Sequence, residues 1–414
     1  MRQDDASLLS EQASVARVDR TVLPVASKAV RDIDTARPHV CFVAMTIYPT
    51  LSGSSSAELV GGAEVQQTVL ARALADDGMR VSVLTGDYGQ PEVVDCGGVR
   101  VHRVRVPGRR GIKGLRFIHP HMTDVVAALR RIDPDIVYFR VAGFRAAAAA
   151  WYARTAGKAF VYACAHDTEL SPQGNNPPTR RDAFLFRLAL KSAGAVLVQN
   201  ILQRQLLNDN FGKDGLVLPN CYVEPGAGVA APGGHILWVG TVKPGKFPES
   251  FIELARRYPS RKFRMVGGAN HQDPTGQAYF DRIREDAATV PNLEFVGHVP
   301  FHNVGKHFDD SSLLINTSAA EGFPNTFLQA WIRGVPTVSF VSPEVTAGET
   351  GTIVCRDLEE MALRVGLLTC GGDAWAVASA ACRDHFGKVH GIESALQGYR
   401  DLFGRLTRQH GRPG

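Results

Sequence analysis

The chain has 414 residues, room for two or three domains of ordinary size. Hydrophobic residues make up 44% and charged residues 21%, which is globular usage and excludes a fibrous or wholly disordered chain. A formal charge of +5 from 46 basic and 41 acidic side chains gives no global pull on nucleic acid, and the seven scattered cysteines fit a reduced compartment without a zinc site.

Residues 1–37 are polar and mixed in charge, with Asp4, Asp5 and Glu11 interrupting any apolar leader, and are read as a disordered tail. From Pro38 the pattern changes. "HVCFVAM" is the short apolar run of a buried parallel strand. A Ser/Gly-rich loop follows, then "AEVQQTVLARALADDG", which sets Val65, Val69, Leu70 and Leu74 on one helix face before the stop at Gly78. "RVSVLTG" is the next strand, so this stretch forms a βαβ unit. No G-x-G-x-x-G follows the first strand, which disfavours a dinucleotide oxidoreductase. Arg100 to Arg116 then carries seven basic residues and no acid: Arg100, Arg103, Arg105, Arg109, Arg110, Lys113 and Arg116. Such a run suits an anionic membrane surface or a phosphorylated acceptor.

Alternation continues through "DIVYFRV", "AFVYACAHD" and "AVLVQN". The longest near-apolar stretch, Val141 to Ala165, is broken by Arg145, Arg154 and Lys158 and does not read as a membrane span. Val223 to Gly234 is rich in Pro and Gly and reads as a linker. Strand and helix signals then restart with "HILWVG", "PESFIELARRY", "KFRMVGG", "LEFVGHV", "SLLINTS" and "PTVSF". Two α/β units follow from this pattern, 38–225 and 226–385, each doubly wound and facing the other across a cleft. The remainder, 386–414, is expected to be a helix packing back towards the first unit.

Ligands of open parallel sheets sit beyond the carboxyl ends of the strands. "SLLINTS" ends at Ser318, so Glu321 to Asn325 occupy that place, immediately before the helix "TFLQAWIRG". The start of a helix presents unpaired N–H groups suited to phosphate, an ionised Glu321 accepts from sugar hydroxyls, and Gln329 lies a little over two turns further on.

The segment "EGFPNTFLQAWIRGVPTVSF" resembles the Glu-x7-Glu motif of the retaining glycosyltransferases of family 4, whose members have the GT-B fold. "GGAEVQQTVLARALADDGMRVSVLT", "AVLVQNILQRQLLNDNFG" with "LPN", and "WVGTVKPGKFPESFIELA" with "KFRMVGG" resemble other segments of the same family, so the likeness spans about residues 38 to 405. It implies an α/β GT-B chain of two Rossmann-like domains. Glu321 would contact the donor sugar, Gly322, Phe323, Pro324, Asn325 and Thr326 would lie along the diphosphate, and Gln329 would meet the ribose where the family usually has a second glutamate. In "GTVKPGK", Gly240, Lys243 and Lys246 would face the leaving diphosphate, with Thr241 where many members carry arginine. Gly61 and Gly62 would approach the donor phosphate across the cleft, and Gly268, His298 and Val299 would surround the base. His166 would sit by the transferred sugar, and Asn220 would have an interdomain structural role.

The implied reaction moves a sugar from a nucleoside-diphosphate sugar to a glycan or lipid-linked acceptor of cell-surface or exopolysaccharide synthesis, with retention. His166, Glu321 and Lys246 would be catalytic, with no cofactor and no metal. The expected setting is cytoplasmic, peripheral on the inner membrane face through Arg100 to Arg116, without nucleic acid. Two alternatives share the fold: a nucleotide-sugar epimerase, and a weakly catalytic partner subunit, which Thr241 and Gln329 keep open.

Overall fold

The computed structural model describes residues 37–53, 61–104, 117–171, 177, 179–224, 226–271, 273–343, 345, 351–370 and 373–410. The expected tail therefore lies outside the described residues except for Arg37, as do Arg105, Arg109, Arg110, Lys113 and Arg116 of the basic run.

The first half of the chain forms strands β1 (His39–Val43), β2 (Arg80–Thr85), β3 (Val93–Asp95), β4 (Val99–Arg103), β5 (Ile136–Arg140), β6 (Ala159–Ala163), β7 (Ala195–Val198) and β8 (Leu216–Val217). They make one sheet in the order β3-β4-β2-β1-β5-β6-β7-β8, parallel except for the β3–β4 pair. Its helices are α1 (Tyr48–Ser52), α2 (Gly62–Asp76), α3 (Thr123–Ile132), α4 (Phe144–Thr155), α5 (Arg180–Ser192) and α6 (Ile201–Phe211).

The second half supplies β9 (His235–Val239), β10 (Phe263–Val266), β11 (Leu293–Gly297), β12 (Ser311–Asn316), β13 (Thr337–Ser339) and β14 (Thr352–Val354), all parallel, in the order β11-β10-β9-β12-β13-β14. Its helices are α7 (Pro248–Arg257), α8 (Gly276–Ala288), α9 (Phe301–Asp309), α10 (Asn325–Trp331), α11 (Leu358–Thr369), α12 (Asp373–His385) and α13 (Ile392–Gln409). Two parallel-dominated, helix-covered sheets are two Rossmann-like units, the arrangement of the GT-B fold.

Each sheet is buried on both faces, which is why its central strands are nearly unbroken apolar runs. Helices α3 to α6 cover one face of the first sheet, and α2 with α13 covers the other. Leu396, Tyr399, Leu402, Phe403 and Leu406 place α13 in the first half's core, although α12 packs on the second half through Cys382. Helix α2 touches both halves: Leu70 and Leu74 are in the first core, whereas Val69 packs on the second. Among the described residues, no single helix is long and apolar enough to cross a membrane.

Candidate active site

The carboxyl ends of β9 and β12 bring two loops together. After β9, Gly240 N donates to Val266 O and Val242 N to Gly268 O, fastening this loop to the one after β10. The loop then turns through Pro244–Lys246 and is tied to the end of β12. Thr317 Oγ1 donates to Lys246 O (2.6 Å), Ala319 N donates to Gly245 O (3.1 Å), and Trp238 Nε1 donates to Thr317 Oγ1 (3.0 Å). The pinning aims Lys246 Nζ at Glu321 Oε1, and Ser318 Oγ donates to the same oxygen (2.7 Å).

Both contacts converge on one carboxylate oxygen, and Lys246 has three N–H donors, so each partner retains capacity to meet a polar ligand. Burial pushes the Glu321 carboxyl up, but the Lys246 charge and hydrogen bond, the Ser318 hydrogen bond and the influence of His166 outweigh it and leave its pKa below the ordinary carboxylate value.

His166 arrives from the other sheet, at the end of β6. Its Nδ1 accepts from Thr168 N (3.2 Å) and lies 3.0 Å from Thr168 Oγ1. A backbone N–H can only donate, so the neutral ring carries its proton on Nε2. Burial lowers the His166 pKa, Glu321 works against that, and Lys243 and Lys246 add to it, so the ring is neutral at pH 7. Next to it, Asp167 accepts from Gln203 Nε2 (2.9 Å). Burial pushes the Asp167 carboxyl up to about 6, with the Gln203 bond opposing and the Glu321 charge assisting.

The halves meet on Gly322 and Asn325. A Cβ on Gly322 would run into Ala165 O and come within 3.1 Å of His166 Cα, so glycine is required for the approach of the two loops. Asn200 Nδ2 donates to Gly322 O (2.9 Å) from the first half. Asn325 Nδ2 donates to Gly62 O (2.9 Å), while Asn325 Oδ1 accepts from Gln66 Nε2 (2.9 Å) and Asn220 Nδ2 (3.4 Å). Arg140 Nη2 donates to Asn220 Oδ1 (3.1 Å), and the Asn220 carbonyl lies 2.7 Å from His390 Nδ1.

The sequence-predicted residues fall into three groups. Lys246, Glu321, Gly322 and His166 come together at one point, with Lys243 exposed on the same loop. Gly268 and His298 come together at the ends of β10 and β11, where a Cβ on the glycine would stand 3.1 Å from His298 Nδ1; Val299 is half-buried beside them. Other residues turn inward or sideways. Phe323 packs on His390 (ring centroids 4.9 Å apart), Pro324 is buried, and Thr326 is half-buried on the short α10.

Gln329 is only 3% exposed, its amide directed at the Tyr222 hydroxyl 3.5 Å away, so its side chain lies in the interior and not on the surface that carries Glu321. Gly61 caps α2, and Gly62 lies against the Asn325 side chain. Thr241 is exposed. Sequence reasoning passed over Asp167, Asn200 and the side-chain role of Asn325. The signals were present in the His-Asp pair after an apolar strand, and in polar residues standing directly after β7 and at the start of α10.

Two Rossmann-like units, with a lysine loop and a glutamate loop meeting at the carboxyl edge of the second sheet, have the architecture of the GT-B glycosyltransferases. Residues 61–221 match the model of the "glycosyl transferase 4-like domain", and residues 233–369 match that of "glycosyl transferases group 1". The chain belongs to this family of glycosyltransferases. It is 26% identical over 402 residues to the 2-deoxystreptamine N-acetyl-D-glucosaminyltransferase of Streptomyces fradiae, covering 84% of this chain and 93% of that protein. Among solved structures, sucrose-phosphate synthase from Thermosynechococcus elongatus superposes with a TM-score of 0.70 at 16% identity, covering 89% of this chain and 100% of the other. Anabaena HepE in complex with UDP and glucose does so with a TM-score of 0.67 at 15% identity over the same shares.

Proposed function

We propose that the protein transfers a sugar from a nucleoside-diphosphate sugar to a hydroxyl of a glycan or lipid-linked glycan, retaining the anomeric configuration. The observation that carries this reading is the meeting of Lys246 and Glu321, from two strand ends of one half, beside His166 of the other. Structural likeness to HepE with bound UDP supports a uridine nucleotide as donor. In the transfer, the bond from C1 to the diphosphate oxygen breaks and a bond from C1 to the acceptor oxygen forms on the same face. The acceptor's proton passes to the leaving phosphate oxygen.

Lys246, helped by Lys243, meets the charge that develops on that oxygen, which is electrostatic stabilisation by groups already in place. The Glu321 carboxylate accepts from sugar hydroxyls, and His166 Nε2–H donates to one. Backbone N–H groups of Gly322, Phe323 and Asn325 lie along the diphosphate, so the reading needs no metal. Gly268 and His298 flank the base.

In this proposal the acceptor belongs to cell-surface or exopolysaccharide synthesis and the protein works at the cytoplasmic face of a membrane. The similarity to an aminocyclitol glycosyltransferase over most of both chains supports a second reading, a small soluble acceptor.

Incubation with a panel of UDP-, GDP-, ADP- and TDP-sugars, without acceptor and with EDTA, tests the donor side. Slow hydrolysis releasing the sugar in the anomeric form of the donor, as read by NMR, is the expected result. No turnover of any donor would favour the partner-subunit alternative, and release of an epimerised sugar would favour the epimerase.

A further inference from the structure

Helices α3, α4 and α5 form one layer on the first sheet, with buried side chains such as Val126, Ala149 and Phe186 facing inward. Their outward side is unusual. The three helices carry eight basic residues (Arg130, Arg131, Arg145, Arg154, Arg180, Arg181, Arg187, Lys191) and two acidic ones, Asp124 and Asp182, of which Asp182 is buried. On α5 the exposed positions are Arg180, Arg181, Phe184, Arg187, Leu188, Lys191 and Ser192, spaced as a single helical stripe. Phe184 is 62% exposed and Leu188 47%, and Trp151 of α4 is 45% exposed with the Arg130 guanidinium 5.8 Å from its ring.

Large apolar side chains set singly among cations, with no exposed acid on the same helix, are what an interfacial helix presents to anionic lipid: the rings and Leu188 enter the headgroup region while the cations meet phosphate. A protein partner of ordinary composition would be met by a less one-sided charge and a contiguous apolar core. We infer that the outward stripe of α5, in the same helix layer as the exposed Trp151 of α4, docks this glycosyltransferase on an anionic phospholipid surface. The inference rests on the lipid-linked-acceptor reading above and names its docking surface, distinct from Arg100 to Arg116.

The arrangement fits delivery of such an acceptor. Arg181 at the start of α5 stacks on Phe117 (4.2 Å) and lies 5.7 Å from Phe144 at the start of α4, so the two helices begin at the same edge of the sheet. That edge holds the end of β6 and His166. Docking through α5 therefore sets the end of the stripe that carries Arg180 and Arg181 at the edge that holds His166.

Flotation of the full chain with phosphatidylcholine vesicles, with and without phosphatidylglycerol, at low salt tests this. Wild type is expected to float only with the anionic vesicles, and both F184S/L188S and R187Q/K191Q to bind roughly tenfold more weakly or worse. Donor hydrolysis by the same preparations is expected to be unchanged. Indifference of wild type to anionic vesicles overturns the inference. So does equal binding by both α5 variants, with loss instead in R109Q/R110Q/K113Q, which transfers docking to the basic run. Sedimentation showing a dimer that F184S/L188S dissolves also overturns it, assigning the stripe to a second copy. Vesicle binding without hydrolysis of any donor leaves docking intact and counts against the transferase reading alone.

Discussion

Two polar knots stand where the halves of the molecule meet, and they are built from different chemistry. One is charged: Lys246, Glu321 and Ser318 beside His166. The other centres on amides: Asn325, Gln66 and Asn220, with Arg140 behind them. Amide-to-amide bonds satisfy both partners at little electrostatic cost, so they suit permanent contact between protein surfaces. A lysine and a carboxylate held together by a half-buried bond suit a place where a charged ligand arrives, because each has further bonds to offer and both respond strongly to a new charge nearby. On the proposed function, holding and reacting are thus separated by residue type, within a few residues of the same segment, Glu321 to Asn325.

The largest effect that tests this separation is on turnover. Lys246→Ala should lower kcat about 10²–10³-fold, with melting temperature nearly unchanged; steady-state kinetics with thermal melts would show it. A variant that loses stability but not rate would reverse the assignment of the two knots.

Gly322→Ala should strike both knots at once. The new methyl meets the backbone of Ala165 and His166, which cannot yield like a flexible side chain, so a loss of about 1–3 kcal/mol is expected by chemical denaturation, together with reduced activity. Within the amide knot, Asn325→Ala and Gln66→Ala should each cost about 0.5–1.5 kcal/mol. A double-mutant cycle should show that the two losses do not add, since they share one hydrogen bond.

A further expected effect is a pH dependence behind the amide knot. His390 is buried against Phe323 and Trp331, and burial pushes its pKa down to about 3, with its contact to Asn220 O opposing. The unfolded chain binds a proton near pH 6.5 that the folded chain refuses until about pH 3. The contribution of this group to stability is therefore complete above about pH 6.5 and is lost as pH falls towards 3. His390→Gln should show a shallower loss of stability across that window than wild type.

Much of this was legible before any coordinates. The parallel strands announce themselves because burial on both faces makes them continuous apolar runs, as in "HVCFVAM" and "SLLINTS". Glu321 and Lys246 could be picked out as candidates because both stand in loops directly after strands, and such sheets bring those loops to one edge, where the two side chains meet.

What was not legible depends on tertiary contact. The spacing from Glu321 to Gln329 said nothing of Tyr222, which stands just before the linker and meets the amide. Phe323 sits next to a site residue in sequence, yet His390, far along the chain, and Trp331, at the far end of α10, draw its ring inward. The short antiparallel β3 has exposed Val93 and no apolar alternation by which to be recognised.

The claim at the centre is that Lys246 and Glu321 meet a nucleoside-diphosphate donor. The most direct measurement is a thermal-shift panel of UDP, GDP, ADP and TDP, with EDTA present, on wild type, Lys246→Ala and Glu321→Ala. A nucleotide at about 100 times its dissociation constant stabilises by about 2.7 kcal/mol. The account predicts a clear shift of wild type with one nucleotide, UDP foremost, and its near loss in Lys246→Ala. An equal shift in wild type and Lys246→Ala, or none with any nucleotide at millimolar concentration, would contradict it.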